Sequence, residues 1–278
     1  MSKHIFTPGG KTPLIVKADH GTLKFFFPVP ELFTFSDSDL LHIDDFFEPY
    51  IMPDAAPGFW SGLRPETEST PPLYLKKRVF STGISLRNIF SPANLFRRAE
   101  WAALAADAGV STPAVLAIGW RKKGLLVKAV YLAMEAVSDA EEVSGIFCRP
   151  NARARVGLFI EDSSRLIASL HAAKIFHGNF SLSNFYYRDA VLSLWNPGWL
   201  QSWSGHLTER SILCDLGSLG AAICAEAAKH RPSLDDFISC DATAELLLSA
   251  YAEVAPGWIP PLGHLVRSIE KYCTRTLR

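Results

Sequence analysis

The chain lacks a paired cysteine spacing, a surplus of either charge, a long unbroken apolar run and a glycine-rich phosphate loop. Its five cysteines, Cys148, Cys214, Cys224, Cys240 and Cys273, are scattered with no CxxC pair. That argues against a zinc site and a disulfide framework, and points to a reducing compartment. Basic and acidic residues balance at 28 each, so no charge signature for nucleic acid is present. No segment approaches the ~18 unbroken apolar residues of a spanning helix, and no signal peptide is recognisable at the start. The expectation is a soluble, cytoplasmic protein without a transmembrane segment. Ala55 to Gly62 is the candidate phosphate loop ahead of the lysine strand, and it has no GxGxxG pattern; phosphate cradling by backbone N–H groups is therefore not predicted. No internal repeat is present, and 278 residues suffice for two cored units.

What the chain does contain is a helix feeding a polar loop and a hairpin. From Ala152 to Lys174 the apolar residues Val156, Phe159, Ile160, Leu166, Ile167, Leu170 and Ala173 fall on one helical face, with Arg153, Arg155, Glu161, Asp162 and Arg165 elsewhere. The helix runs into His177-Gly178-Asn179-Phe180-Ser181-Leu182-Ser183-Asn184. Two short apolar runs follow, Phe185 to Tyr187 and Val191 to Trp195, flanking Arg188-Asp189-Ala190 as a hairpin turn. A turn centred near Asp189 or Ala190 sets Asn184 opposite Asn196, with Asn179 just upstream. Three amides then gather at the hairpin's open end. Taken singly, each is also an ordinary turn or cap asparagine.

The N-terminal part carries a matching set of features. Leu73 to Val79 reads as a strand with Lys76, Lys77 and Arg78; Asn94 to Ala108 reads as a helix with Phe96, Trp101, Leu104 and Ala105 as its apolar stripe. Two strands follow, Ala114 to Trp120 and Leu125 to Glu135, joined by the basic turn Arg121-Lys122-Lys123-Gly124.

On these residues the chain resembles the protein-kinase-like fold and, within it, the lipopolysaccharide core kinase (Kdo/heptose kinase) family. The strings LHAAKIFHGN, FSLSN and LWNP stand where that family has LHxxGxxHxD, LxxxN and a hairpin ending in IDF or IDxD. RRAEWAALAADAGVSTPAVLAIGW is similar to the family's helix and following strand, and Tyr131 to Val137 to its hinge between lobes. The resemblance covers about residues 70 to 220. It implies an α+β, two-lobed kinase-like fold with a β-rich small lobe (1–136, including an N-terminal elaboration) and a mainly helical large lobe (137–278).

The resemblance also implies phosphoryl transfer chemistry, in which a lysine and helix glutamate orient phosphates, a loop aspartate handles the acceptor proton, and an asparagine and a second aspartate hold Mg²⁺. Carried over, Lys76 pairs with Glu100, Glu135 lies in the nucleotide-side hinge, and Asn184 is the retained metal-side amide. Asn179 occupies the catalytic-base position and Asn196 the principal metal position. Lys77 is a rival to Lys76, because alternate strand residues face opposite ways. An amide takes up no proton near neutral pH, and general acid–base help is worth ~10²–10⁴ in rate. Mg²⁺ favours carboxylates and phosphates over a neutral amide. Asp215 reads as a helix-start aspartate bracing the loop, and Asp189 sits at a hairpin tip pointing away; neither replaces a missing carboxylate.

The sequence therefore predicts a pseudokinase that binds a nucleotide such as ATP, a protein partner or a lipopolysaccharide precursor, with Mg²⁺ use in doubt. The alternative is an active ATP-dependent sugar phosphotransferase with an atypical metal site. A third reading has Trp195, Trp199 or Trp203 filling the cleft. Basic runs at Lys76 to Arg78, Arg121 to Lys123 and Arg149 to Arg155 are solvated faces or, more sharply, contacts to phosphate-rich headgroups at the inner membrane surface. His171 and His177 read as structural. Further helices are expected near 216–229, 241–253 and 262–276.

Overall fold

The computed structural model describes residues 14–18, 21–26, 36, 38–39, 42–53, 58–67, 71–80, 104–123, 126–137, 139–195, 201–202, 207–230, 238–255 and 257–276. Sheet dominates the N-terminal part and helices follow. Two compact units are present: residues 1–102 with 113–138, and residues 103–112 with 139–278.

The first unit is built on seven strands: β1 (Leu14–Ala18), β2 (Gly21–Phe26), β3 (Met52–Pro53), β4 (Phe59–Arg64), β5 (Leu73–Val79), β6 (Val115–Lys123) and β7 (Leu126–Glu135). They order as β1-β2-β6-β7-β5-β4-β3, with every neighbouring pair antiparallel. Arg121 to Lys123, expected in a turn, extend β6 instead. A short helix, α1 (Ile43–Phe47), lies on one sheet face, where Ile43 and Phe47 pack with Leu73, Leu75, Ala117, Tyr131 and Ala133. The other face carries Phe80, Ile118, Trp120, Val130, Leu132 and Met134, with Tyr74 against them. Two-residue alternation along β5 thus divides its side chains between two cores.

The glycines ahead of β5 have structural work. Gly58 sits at φ +79°, its carbonyl accepts the Val79 N–H at 2.9 Å, and a Cβ there would meet the Val79 oxygen at 2.8 Å. A Cβ on Gly62 would overlap the Tyr50 carbonyl. Both are needed for close backbone approach.

The second unit contains β8 (Glu141–Glu142), a 3₁₀ turn Val143–Cys148, α2 (Ala152–Ala172), β9 (Ile175–Phe176), a 3₁₀ turn Leu182–Asn184, β10 (Phe185–Arg188), β11 (Val191–Leu194), β12 (Gln201–Ser202), α3 (Glu209–Lys229), α4 (Cys240–Val254) and α5 (Leu262–Thr276). The apolar face of α2 is buried as its spacing predicts: Val156, Phe159, Ile160, Ile167 and Leu170 are all inaccessible. Ser164 Oγ donates to the Leu247 carbonyl at 2.5 Å, tying α2 to α4. Close approach of α3 and α5 depends on Gly217 and Gly220, where a Cβ would run into Ser268 and Ile269.

Two sequence expectations change here. Helix α3 begins at Glu209, capped by Thr208, whose hydroxyl accepts the Ser211 N–H; Asp215 is therefore inside the helix rather than at its start. The cap and Glu209 supply the start signal seven residues earlier. At 21 residues, α3 is long and apolar enough to cross a membrane by length and composition alone. It has the character of a core helix: Leu216, Leu219 and Ile223 are fully buried, and so is the carboxylate of Asp215.

Candidate functional site

The loop after α2 is held by backbone donors converging on one face of α3. Asp215, fully buried, accepts the N–H of His177 at 2.9 Å and that of Gly178 at 2.5 Å, and its Oδ2 lies 3.1 Å from His171 Nε2. One turn on, Ser218 Oγ accepts the Phe180 N–H at 2.8 Å and donates to the Asp215 carbonyl at 3.1 Å. Behind His171, Tyr251 Oη sits 2.9 Å from Nδ1. The amides of His177, Gly178 and Phe180 would otherwise be costly to bury; α3 satisfies them through residues spaced i, i+3. Gly178 takes φ +89°, a region other residues rarely enter.

Aromatic stacking fixes the remaining side of the loop. His177 stacks on Phe180 at 4.4 Å, Phe180 on Phe185 at 5.2 Å, and Phe185 meets Phe159 of α2 edge-on. His177 Nδ1 accepts the Asn179 N–H at 3.3 Å, which assigns the proton to Nε2. Among the described residues that buried Nε2 has no hydrogen-bond partner. Burial holds the His177 imidazole below its ordinary range, against the pull of the Asp215 carboxylate and the Asn179 contact. Asn179 itself is exposed at the loop tip.

Asn184 has a local duty. Its Oδ1 accepts both the Ser181 N–H at 2.7 Å and the Ser181 hydroxyl at 2.9 Å, closing a capping box on the 3₁₀ turn Leu182–Asn184. Turning the amide over would set its NH₂ against the Ser181 N–H, so the network fixes its orientation. Both lone pairs of the oxygen are then used.

The hairpin forms where the sequence placed it, with a one-residue correction to its register. Phe185 pairs with Leu194 and Arg188 with Val191, around the two-residue turn Asp189-Ala190, at φ 51° and 62°. Asn184 therefore faces Trp195, whose N–H donates to its carbonyl at 2.7 Å, rather than Asn196. Two left-handed residues make the tight turn whose twist suits a hairpin, and that fixes the register. The Asp189 side chain is 92% exposed at the tip. Trp195 rests on Tyr186 at 4.4 Å. Asn196, Trp199, Trp203 and Glu100 lie outside the described residues, as do residues 94–103 of the helix expected over Asn94 to Ala108; its described end, residues 104–107, is helical.

In the first unit, the two lysines of β5 point to opposite faces. Lys77 Nζ lies 2.8 Å from Asp44 Oδ1 and 3.2 Å from Glu48 Oε1. Arg121 pairs with the other Asp44 oxygen and Tyr131 donates to Oδ1 at 2.9 Å. Burial opposes charge on Asp44, but hydrogen bonds from Lys77 and Arg121 outweigh it and hold the carboxyl below its usual range. Burial, with the neighbouring Asp44 charge, pushes the Tyr131 phenol far up. Lys76 is on the other face, its ammonium 5.2 Å from the Tyr74 ring centroid. Glu135, at the end of β7, accepts the Ala114 N–H at 3.3 Å.

Sequence reasoning missed Ser218, Tyr251 and Asp44. The Asp215-x-x-Ser218 spacing offered a signal for Ser218; for Tyr251 and Asp44 only the tertiary packing provides one. The described residues fit a resident Mg²⁺ poorly. Asn184 has no oxygen lone pair left, and no group of three His, Cys, Asp or Glu among the described residues is arranged to hold a metal.

The lipopolysaccharide kinase (Kdo/WaaP) family profile matches residues 81–193. No curated protein matches the chain. Among solved structures, WaaP in complex with acyl carrier protein is similar with a TM-score of 0.54 at 14% identity, over 82% of this chain and 86% of that one. A Mycobacterium tuberculosis PknI kinase domain has a TM-score of 0.44 at 12% identity, over 80% and 93%. The fold is protein-kinase-like, and residues 81–193 match the lipopolysaccharide kinase (Kdo/WaaP) family.

Proposed function

We propose that this chain is a catalytically degenerate relative of the lipopolysaccharide core kinases, acting by binding rather than by turnover. The observation that supports this reading is the loop itself: it is pinned by Asp215 and Ser218, and the exposed residue at its tip, which the family resemblance aligns with the catalytic base, is the amide Asn179. An amide cannot accept that proton. Asn184, with its oxygen saturated by Ser181, adds to the case. Under this reading Lys76 meets nucleotide phosphates, ATP binds without efficient Mg²⁺-dependent transfer, and the protein acts in the cytoplasm. The WaaP neighbour is in complex with acyl carrier protein, which makes a carrier protein the first partner to test beside a lipopolysaccharide precursor.

The test combines binding and turnover on purified protein. ATP at a hundred times its Kd stabilises a native protein by ~2.7 kcal/mol, so a thermal-shift titration with and without Mg²⁺ or Mn²⁺ reads binding directly, with Lys76→Ala as control. Phosphate transfer to a lipid A–core acceptor is then compared between the natural chain and Asn179→Asp/Asn196→Asp. Activity gained only by the double variant supports degeneracy. Transfer by the natural chain overturns it in favour of an active sugar kinase with an atypical metal arrangement.

A further inference from the structure

The five thiols of this chain have very different surroundings, and one of them has a partner that thiol chemistry can use. Cys148 ends the 3₁₀ turn Val143–Cys148, whose Val143, Ile146 and Phe147 are buried while Cys148 itself is exposed. Its Sγ lies 3.6 Å from Nε2 and 3.7 Å from Nδ1 of His230, the residue that caps the C-terminus of α3. Nε2 is also met by a carboxylate, which leaves Nδ1 as the nitrogen that can accept from the thiol. Glu226, one turn back on α3, lies 3.3 Å from His230 Nε2 and also pairs with Lys229 at 2.7 Å. Burial opposes charge on Glu226, but Lys229 and His230 outweigh it and keep its carboxyl below the usual range. A cysteine, an imidazole and an orienting carboxylate are thus assembled in sequence.

The surroundings on the other side are cationic. Arg149 follows directly and pairs with Glu141 at 2.9 Å. An open depression of about 730 Å³ begins at Arg149 and runs past Asn151 and Arg153 along the first turns of α2, with Glu161 the sole acid in its lining. Helix α2 has no acidic residue in its first turn and no side-chain cap, so its N–H donors add positive partial charge there. Two of the other thiols, Cys224 and Cys273, are partly buried. Burial pushes the Cys224 thiol up to about 12, and burial with the nearby Cys240 pushes Cys273 up to about 11.

We propose that Cys148 is a nucleophilic, reversibly modifiable thiol, activated by the His230–Glu226 pair, whose reactant class is an anionic low-molecular-weight disulfide such as glutathione disulfide. His230 takes the thiol proton, and the Cys148 sulfur attacks one sulfur of the disulfide. A protein mixed disulfide forms, the original S–S bond breaks, and the departing thiolate recovers the proton from His230. Cys148 is oxidised, and the disulfide is reduced to one free thiol and one bound half.

The test incubates the full chain with glutathione disulfide and, separately, with cationic cystamine, resolving adducts by peptide mass spectrometry over a pH series. The expected result is one adduct, at Cys148, forming ~10-fold faster than at any other thiol and reversed by dithiothreitol. His230→Gln should slow it ~10-fold and move the onset of the pH–rate profile upward, while Cys148→Ser abolishes it. Glutathione disulfide should outpace cystamine, and Arg153→Gln should narrow that preference. If His230→Gln does not fold, Glu226→Gln is read in its place with a smaller slowing in the same direction. Labelling spread over the exposed thiols, or a Cys148 rate and pH profile unchanged by the folded variants, overturns the proposal. A faster reaction with cystamine overturns the anionic class.

Discussion

Asp44 and Asp215 are both acids enclosed by protein, and the two units use them in opposite ways. Asp44 gathers formal charge: Lys77, Arg121 and the Tyr131 hydroxyl surround it, and together they hold α1 onto the sheet. Asp215 gathers dipoles: two backbone N–H groups and an imidazole, with no lysine or arginine partner among the described residues. The first arrangement neutralises charge and leaves side chains to decide the packing. The second fixes a main-chain conformation, because backbone donors admit one loop path only. The path of the loop is therefore set by its main chain against α3, whatever side chain stands at its tip.

The sharpest way to break the comparison is Asp215→Ala. It strands the His177 and Gly178 amides and the His171 ring, at ~1–3 kcal/mol for each unsatisfied group, so a loss of about 3 kcal/mol or more is expected in urea unfolding. Amide exchange at 177–180 should accelerate with it. Retained protection at those amides would show that the aromatic stack alone holds the loop.

Asp44→Asn should cost less, about 2 kcal/mol, because its partners are near the surface and keep some access to water. The carboxyl's folded value is below its unfolded one, so its contribution is present above the ordinary value of 3.8 and fades as pH falls through the folded value. The gap between natural and variant proteins should close in acid. A gap that persists at the lowest pH at which the protein remains folded would mean that packing, not charge, sets the cost.

Gly220→Ala tests the helix contact rather than either acid. Its new Cβ would lie 2.6 Å from Ile269 Cδ1. Overpacking of ~1–3 kcal/mol is partly offset by ~1 kcal/mol of helix propensity. A modest net loss in chemical denaturation is expected, smaller in an Ile269→Ala background, which removes both Ile269 carbons the new Cβ would meet; equal losses in both backgrounds would refute the contact.

The smallest effect is at His177. Its folded value is depressed by burial, so its neutral form contributes fully above the ordinary 6.5, and that contribution declines as pH drops through the folded value. His177→Phe, which keeps the stack on Phe180, should flatten the fall of the thermal midpoint between about pH 7 and 5. An identical slope in both proteins would place the proton elsewhere.

Much of this was readable in the chain. The face of α2 follows from its apolar spacing, β5 runs from Leu73 to Val79 as its pattern indicates, and α5 spans Leu262–Thr276 as expected. Bracing by Asp215 was readable from its position; its place inside α3 was not, since an aspartate just ahead of the apolar run from Leu216 has the look of a cap, while the cap the fold uses is Thr208. The hairpin register missed by one residue because period-2 alternation fixes faces, while the turn's backbone fixes pairing.

The sequence by itself determined the order of elements and the kinase-like signature, because those rest on local pattern and residue identity. Only the tertiary structure decided that Lys77 is committed to Asp44 while Lys76 faces the other way, that Ser181 occupies the Asn184 oxygen, and that Cys148 meets His230 across 82 positions of chain. The reason is physical. A hydrogen bond or ion pair between distant segments depends on where packing brings them, and no spacing along the chain encodes that meeting.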